Sequence, residues 1–122
     1  MVLHIPNVLS KEQLIKCREI LNNAEWIDGK LTAGTQAINV KSNLQLAENS
    51  EELKILREII TQALRVNPLF ISAALPNHII SPFVNRYENG GAYGNHVDNS
   101  ILYDTTVEKN FRTDVSCSLF FT

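Results

Sequence analysis

The stretch Tyr87-Glu88-Asn89-Gly90-Gly91-Ala92-Tyr93-Gly94-Asn95-His96-Val97-Asp98-Asn99-Ser100 determines which fold and which chemistry suit this chain. His96 and Asp98 are separated by one residue, and an extended strand directs alternate side chains to the same face. On a helix the same spacing would splay them apart. An imidazole nitrogen beside a carboxylate oxygen is two thirds of the 2-His-1-carboxylate triad, which holds Fe(II) and leaves positions open for substrate and dioxygen. The stretch therefore predicts a metal-binding strand whose third ligand comes from elsewhere.

Length, composition and charge narrow the class of protein. The 122 residues, 44% of them hydrophobic, suffice for one small domain with a core. A net charge of -2 gives no basic surface, so neither nucleic acid nor an anionic membrane is expected as a partner. The apolar runs are far shorter than a membrane span and no secretory signal is visible, so a cytoplasmic location is expected. Cys17 and Cys117 are expected to be half-buried, reduced thiols that act as small apolar residues.

The first half of the chain is predicted to be mainly helical. Ser10 and Gln13 form a capping box ahead of an amphipathic helix that reaches about Ala24. A short strand at 26–29 and a second extended segment at 35–40 follow.

A second and a third helix are predicted next. Asn49 and Ser50 cap the second helix, whose buried stripe consists of Leu53, Leu56, Ile59, Ile60, Ala63 and Leu64. Asn67 as cap and Pro68 as first residue start a short third helix that runs through Ala74.

From His78 onward the pattern changes to strands. Residues 79–87 are rich in β-branched and aromatic side chains, and Pro82 among them implies an edge position or a bulge. A glycine-rich loop at 88–94 leads into the strand that carries the H-x-D pair. The order of helices first and strands later predicts an α+β fold.

The last part of the chain is predicted to contain a turn and one further strand. Residues 103–109 are polar and turn-like. Residues 114–121 alternate, with Val115, Cys117 and Leu119 on one face.

Short motifs that accompany the H-x-D pair run through nearly the whole chain. They are Trp26-Ile27-Asp28-Gly29, Thr32-Ala33-Gly34, Gln36-Ala37, Val40-Lys41-Ser42-Asn43, Gln45-Leu46, Asn85-Arg86-Tyr87, Tyr93-Gly94-Asn95-His96-Val97-Asp98-Asn99 and Arg112-Thr113-Asp114-Val115-Ser116. With these motifs the chain resembles the N-terminal portion of an Fe(II)- and 2-oxoglutarate-dependent dioxygenase of the prolyl-4-hydroxylase type. Within that type it is most similar to the bacterial PKHD-type hydroxylases. A bare H-x-D is weak evidence, and the flanking motifs make the signal specific.

The resemblance implies a fold in which N-terminal helices pack on a double-stranded β-helix, or jelly roll. Residues 1–122 would form the N-terminal part of that single domain, with 1–76 mainly helical and 77–122 as β strands. The implied activity is hydroxylation of a C–H bond in a peptidyl proline or a small molecule. The implied cofactors are Fe(II), with 2-oxoglutarate and O2 as co-substrates, and ascorbate.

The resemblance also assigns roles to individual residues. It implies that His96 and Asp98 are the first two iron ligands, that Tyr87 approaches 2-oxoglutarate, and that Tyr93 belongs to the same pocket. For both tyrosines, core packing with a hydrogen-bonded hydroxyl group is the alternative. Asn85 and Arg86 either line the substrate mouth or end a surface strand.

The chain departs from the family pattern after the H-x-D pair. The family has a second histidine well downstream, followed by a basic residue that pairs with the far carboxylate of 2-oxoglutarate. Only 24 residues follow Asp98 here, and none is a histidine. His78 could substitute only if the sheet brought it alongside the pair, and Arg112 does not match the basic anchor.

A count of strands leads to a further expectation. A double-stranded β-helix needs about eight strands, and roughly five extended segments are predicted. The apolar strand at 116–122 lacks a cap, and a free edge of this kind invites association. We therefore expect either part of a longer enzyme or a shortened homologue that completes its sheet with another chain.

Two rival interpretations stay open at this point. One is a non-catalytic β-domain that associates through its C-terminal strand, with His96 and Asp98 as weak metal contacts. The other is a cupin-like enzyme or binder that uses a different metal.

Overall fold

The computed structural model describes residues 2–28, 41–87, 92–93 and 99–121. In chain order the elements are α1 (Lys11–Asn22), β1 (Trp26–Asp28), β2 (Lys41–Ser42), β3 (Leu44–Leu46), α2 (Glu51–Arg65), α3 (Pro68–Ala74), β4 (Asn85–Arg86), β5 (Ala92–Tyr93), β6 (Ile101–Asp104) and β7 (Lys109–Arg112). The extended segment predicted at 35–40 lies outside the described residues, as do most of the glycine-rich loop and the H-x-D pair.

The two ends of the capping box bind each other at the start of α1. Ser10 Oγ accepts from the Gln13 backbone N–H at 3.1 Å, and Gln13 Oε1 accepts from the Ser10 N–H at 2.8 Å. Two of the donors that every helix leaves unpaired at its N-terminus are thereby satisfied. The prediction of this helix is confirmed, with its end at Asn22.

The caps of α2 and α3 follow the same physical rule. Ser50 Oγ accepts from the Leu53 N–H at 3.2 Å. Asn67 Oδ1 accepts from the Phe70 N–H at 2.9 Å. Leu75 closes α3 in a left-handed conformation with φ 45°. Both helices are confirmed, with Ser50 as the cap of α2.

The core forms where α2 meets α1, α3 and the sheet. The buried side chains in this cluster are Cys17, Leu46, Leu53, Leu56, Ile60, Leu64, Phe70 and Val84. Cys17 acts as a small apolar residue, and burial raises the pKa of its thiol. Cys117 is a free thiol on the surface, so the expectation that it is half-buried is wrong.

Three antiparallel sheets are described. The first has the strand order β1-β3-β4, the second pairs β2 with β5, and the third is the β6–β7 hairpin. Strands from the first half of the chain therefore pair with strands from the second half. The described sheets are small and open, and together with the three described helices they confirm the α+β class.

The strand predicted at 79–87 is confirmed only over Asn85–Arg86. Pro82 lies in the part that forms no ladder, as expected for a residue without a backbone N–H to donate. The turn predicted at 103–109 is shorter than expected, because Tyr103 and Asp104 belong to β6 and Lys109 begins β7.

The strand predicted at 114–121 is wrong within the described residues, where this segment joins no sheet. Leu119 and Phe121 pack at the edge of the core, whereas Val115 and Cys117 are exposed. The Phe121 carbonyl accepts from Arg18 Nη1 at 2.6 Å, which holds the segment against α1. Alternation alone could not show that no neighbouring strand was available.

Among the described residues, no helix combines the length and the apolar character needed to cross a lipid bilayer.

We expect Leu56→Ala to lower the free energy of unfolding by about 2–5 kcal/mol, because it opens a cavity at a position that is 0% exposed. Urea unfolding followed by circular dichroism measures the change. Ile15→Ala is the matched control, since Ile15 is 57% exposed, and it should change stability by less than about 0.5 kcal/mol. Equal losses in the two variants would contradict this assignment of the core.

Candidate functional site

The segments that flank the H-x-D pair belong to two different sheets. Tyr87 directly follows β4, and its side chain is 49% exposed. Tyr93 lies on β5, where its backbone pairs with Lys41 of β2. Its side chain is not among those that the structure describes. His96 and Asp98 lie outside the described residues, so their predicted roles stay predictions.

Asn43 lies at the junction of these two sheets, between the end of β2 and the start of β3. Its Nδ2 donates to Asn85 Oδ1 at 2.9 Å. Gln45 Nε2 donates to the same oxygen at 2.6 Å. Asn43, Gln45 and Asn85 thus form one cluster of carboxamides, which we call the amide cluster.

The amide cluster lies on the face of the sheet opposite the core. Leu46 and Val84 alternate with Gln45 and Asn85 along their strands, and both belong to the hydrophobic core. Gln45 is only 3% exposed and Asn43 only 8% exposed. The Oδ1 atom of Asn43 is buried and has no hydrogen-bond partner among the described residues.

Sequence reasoning missed Asn43 and Gln45 as members of a site. The available signal was the alternation in Asn43-Leu44-Gln45-Leu46, which places two amides on one face of a strand and two leucines on the other. Of the two residues predicted at the substrate mouth, only Asn85 joins the cluster. Arg86 lies with its guanidinium carbon 5.6 Å from the centre of the Trp26 ring, a cation–π contact on the opposite face.

His78, the candidate substitute for the third metal ligand, is bound elsewhere. Its Nε2 lies 2.8 Å from Asp104 Oδ2, and its ring stacks on Phe111 with centroids 3.9 Å apart. Within the described ranges, no group of three or more His, Cys, Asp and Glu side chains is arranged to hold a metal ion. His78 is therefore an anchor for the β6–β7 hairpin.

Asp104 is the buried acid that receives this anchor, with only 2% of its surface exposed. Ser81 Oγ donates to its Oδ1 at 2.8 Å, the Ser81 N–H donates to Oδ2 at 3.2 Å, and the Thr106 N–H donates to Oδ1 at 3.1 Å. Burial raises the pKa of Asp104, but the hydrogen bonds from His78, Ser81 and Thr106 together hold this pKa below its usual value. The carboxylate is thus ionised and paired at neutral pH.

A second acid ties the tip of the same hairpin to the helices. Arg57 of α2 donates from both terminal nitrogens to Glu48, at 2.8 and 3.0 Å. Thr105 Oγ1 donates to the same carboxylate. The Arg57 hydrogen bond is the main reason why the pKa of Glu48 lies below its usual value, against the opposing effect of burial. The hairpin therefore has a defined position on the helical part.

The donor set of this chain fits ferrous iron in part. A neutral imidazole and a carboxylate are ligands that Fe(II) accepts, and His96 and Asp98 supply one of each. The geometry of His78 assigns it to Asp104, so it does not complete the set.

Comparison with known proteins gives several relatives that share one name, PKHD-type hydroxylase. Over all 122 residues the chain is 70% identical to a PKHD-type hydroxylase of Aliarcobacter butzleri (strain RM4018), of which it covers 54%. It is 49% identical over 120 residues to a PKHD-type hydroxylase of Caulobacter vibrioides, of which it covers 53%. The corresponding protein of Beijerinckia indica is 48% identical over 120 residues, again with 53% covered. The chain belongs to the bacterial PKHD-type hydroxylase family.

This membership confirms the resemblance that the motifs indicated. The chain spans about half the length of the PKHD-type hydroxylases that it matches, at 54% and 53% of their sequences. A scan against protein-family models gave no match. Both the amide cluster and the hydrogen bond between His78 and Asp104 lie within the span that this chain shares with these PKHD-type hydroxylases.

We expect Asp104→Asn to lower the free energy of unfolding at pH 7 by about 1–3 kcal/mol, because the buried hydrogen bonds lose their charged acceptor. Since the folded-state pKa of Asp104 lies below the unfolded value, the stabilisation is complete above the unfolded pKa. It is lost as the pH falls through the folded pKa. The difference between wild type and variant should therefore shrink as the pH falls below the ordinary Asp pKa of about 3.9.

Urea unfolding at a series of pH values measures this difference. Asp114→Asn is the matched control, because Asp114 pairs with Arg112 on the surface and both side chains are largely exposed. A stability difference for Asp104→Asn that stays constant from pH 7 to pH 2 would show that the charge of this acid is not what stabilises the hairpin.

Proposed function

We propose that the protein is an Fe(II)- and 2-oxoglutarate-dependent hydroxylase that acts on the C–H bond of a prolyl or small-molecule substrate. The supporting observation is the alignment of all 122 residues, at 70% identity, with a protein named PKHD-type hydroxylase. The aligned span includes His96 and Asp98, the pair whose chemistry suits ferrous iron.

The proposed fold is a double-stranded β-helix with the helices on its outside, of which these residues form the N-terminal part in a single domain. The β1-β3-β4 sheet supports this proposal, because its two faces differ in polarity. One face is covered by α2 and its apolar stripe, and the other carries buried amides. A sheet with an apolar outer side and a polar inner side suits one wall of a barrel-like site.

Each candidate residue has a task in this proposal. His96 and Asp98 hold the metal, and the carboxylate lowers the net charge of the site. The phenol of Tyr87 donates a hydrogen bond to 2-oxoglutarate, and Tyr93 lines the same pocket. When bound, Fe(II) with 2-oxoglutarate and dioxygen supplies an oxidative decarboxylation that yields succinate, carbon dioxide and a hydroxylated substrate, with ascorbate as a supporting reductant. The remaining task of the protein is to orient the substrate and exclude competing reactions.

One observation favours a rival function. Residues 114–121 join no sheet among the described residues, and Phe120 in that segment is exposed. A non-catalytic domain that associates with another chain through this segment would use such a surface. It would bind Fe(II) weakly and would not depend on 2-oxoglutarate.

Anaerobic titration with Fe(II) and 2-oxoglutarate separates the two functions. We expect a metal-to-ligand charge-transfer band in the visible spectrum of the wild type and its loss in His96→Ala, since one of the iron ligands is removed. His4→Ala is the matched control, because His4 is an exposed histidine near the N-terminus, and it should keep the band. A wild-type protein without any band would favour the association domain.

A second titration tests the role of Tyr87. We expect Tyr87→Phe to raise the Kd for 2-oxoglutarate about 10-fold to 150-fold, which corresponds to the loss of one hydrogen bond to a charged group. Tyr103→Phe is the matched control, because Tyr103 is exposed to a similar extent, 52% against 49%, and lies on β6. Equal 2-oxoglutarate affinities in the wild type and Tyr87→Phe would remove Tyr87 from the pocket.

A further inference from the structure

The donors and acceptors of the amide cluster do not balance. Asn85 Oδ1 has two lone pairs, and it accepts from both Asn43 Nδ2 and Gln45 Nε2. Its acceptor capacity is therefore full. Asn43 Oδ1 is left as a buried acceptor without a partner among the described residues. A buried acceptor without a partner is unfavourable, so binding of a group that donates to it is favoured.

The same cluster also contains a hydrogen-bond donor that has no acceptor among the described residues. Asn85 is exposed, and within the described part of the chain its Nδ2 donates no hydrogen bond. Among the described residues, an acceptor and a donor without partners thus lie on two side chains that are joined by a 2.9 Å hydrogen bond. This pattern is complementary to a secondary amide, which has one N–H donor and one carbonyl acceptor.

The neutral character of the amide cluster makes an ionic ligand less suitable than an amide. The described hydrogen bonds that join Asn43, Gln45 and Asn85 are between neutral carboxamides, and no charged side chain bonds to Asn43 or Asn85 in the described ranges. An ammonium group or a carboxylate would lose its hydration there, and no described charged side chain bonds to Asn43 or Asn85 to compensate for that loss. A neutral amide loses less and can satisfy both free positions.

The cluster lies close to described segments that precede the H-x-D pair in the chain. Asn43 directly follows β2, which pairs with β5, and the H-x-D pair begins three residues after β5. Asn85 precedes Tyr87 by two residues, a spacing that places both side chains on one face of an extended chain. A ligand on the cluster would thus lie on the same side of this segment as Tyr87, the residue proposed to bind 2-oxoglutarate.

We propose that Asn43 and Asn85 bind an amide group of the substrate, with Asn43 Oδ1 accepting its N–H and Asn85 Nδ2 donating to its carbonyl. Gln45 is a positioning residue, because its Nε2 fills the second lone pair of Asn85 Oδ1 and so orients the Asn85 amide. This inference rests on the proposed hydroxylase function and names its substrate class as amide-containing, such as a peptide or a lactam.

The test compares two probes that differ only in the N–H group, N-acetyl-L-proline N-methylamide and N-acetyl-L-proline methyl ester. The protein at its full encoded length is loaded with 2-oxoglutarate and Zn(II), a metal that does not support turnover. Ligand-detected NMR titration gives the Kd of each probe. We expect the amide to bind at least about 10-fold more tightly than the ester, the effect of one well-placed hydrogen bond.

Variants of Asn43 test whether the preference for the amide probe depends on the amide cluster. Asn43→Leu removes the acceptor, and the ratio of ester Kd to amide Kd should fall to about 1. Asn43→Gln keeps an acceptor oxygen and an amide donor, so the amide should remain the preferred probe. Asn110→Leu makes the same substitution at an exposed position of β7 and should leave the ratio unchanged.

The outcomes also separate this inference from the proposed function. The inference is overturned if the two probes bind equally to the wild type. It is also overturned if the amide does not bind to the wild type at 10-fold the highest concentration used for the Asn110→Leu control. If the Fe(II) and 2-oxoglutarate charge-transfer band persists in that case, the hydroxylase function stands without it. If Asn43→Leu does not fold, the wild-type ratio and Asn43→Gln decide the question.

Discussion

The packing of α2 against one face of the β1-β3-β4 sheet is the interaction on which the rest of this structure depends. The stripe of Leu53, Leu56, Ile60 and Leu64 meets Leu46 and Val84 from the sheet, and Cys17 of α1 completes the contact. Burial of apolar surface drives this packing. Because strand side chains alternate, once Leu46 and Val84 face the helix, Gln45 and Asn85 must face the other way. The polar face of the sheet is therefore a consequence of the hydrophobic core.

Two buried or partly buried acids hold the remainder of the fold on this core. Asp104 is bound by His78, Ser81 and Thr106, and Glu48 is bound by Arg57 and Thr105. Each carboxylate joins residues that are distant in sequence, and each has its pKa held below the usual value by its donors. The charge of Asp104 is buried and has to be paired, so its contacts define where the β6–β7 hairpin lies, and the more exposed Glu48 adds a second contact. The geometry also explains why His78, although one of three histidines in the chain, serves the fold and not a metal.

Much of the local structure could be predicted because its causes are local. The caps at Ser10, Ser50 and Asn67 satisfy helix ends within a few residues of sequence, and all three were recognisable. The strand at Trp26–Asp28 was also predicted. The failures concern strands, whose stability depends on a partner far away in sequence. Residues 114–121 alternate as a strand does, yet no described strand pairs with them. The turn at 103–109 was predicted too long, because Tyr103 and Asp104 appear polar and turn-like but pair with Asn110 and Lys109.

By itself the sequence determined the family and identified His96 and Asp98 as predicted metal ligands, because motif spacing and residue chemistry are properties of the chain order. The 70% identity to a PKHD-type hydroxylase agrees with what those motifs indicated. Only the tertiary structure decided that Asn43 and Gln45 converge on Asn85, that one amide oxygen of Asn43 is buried without a described partner, and that His78 belongs to Asp104. The physical reason is that these contacts join residues 26 to 42 positions apart. Their partners are selected by the packing of helices and sheets, which no local pattern specifies.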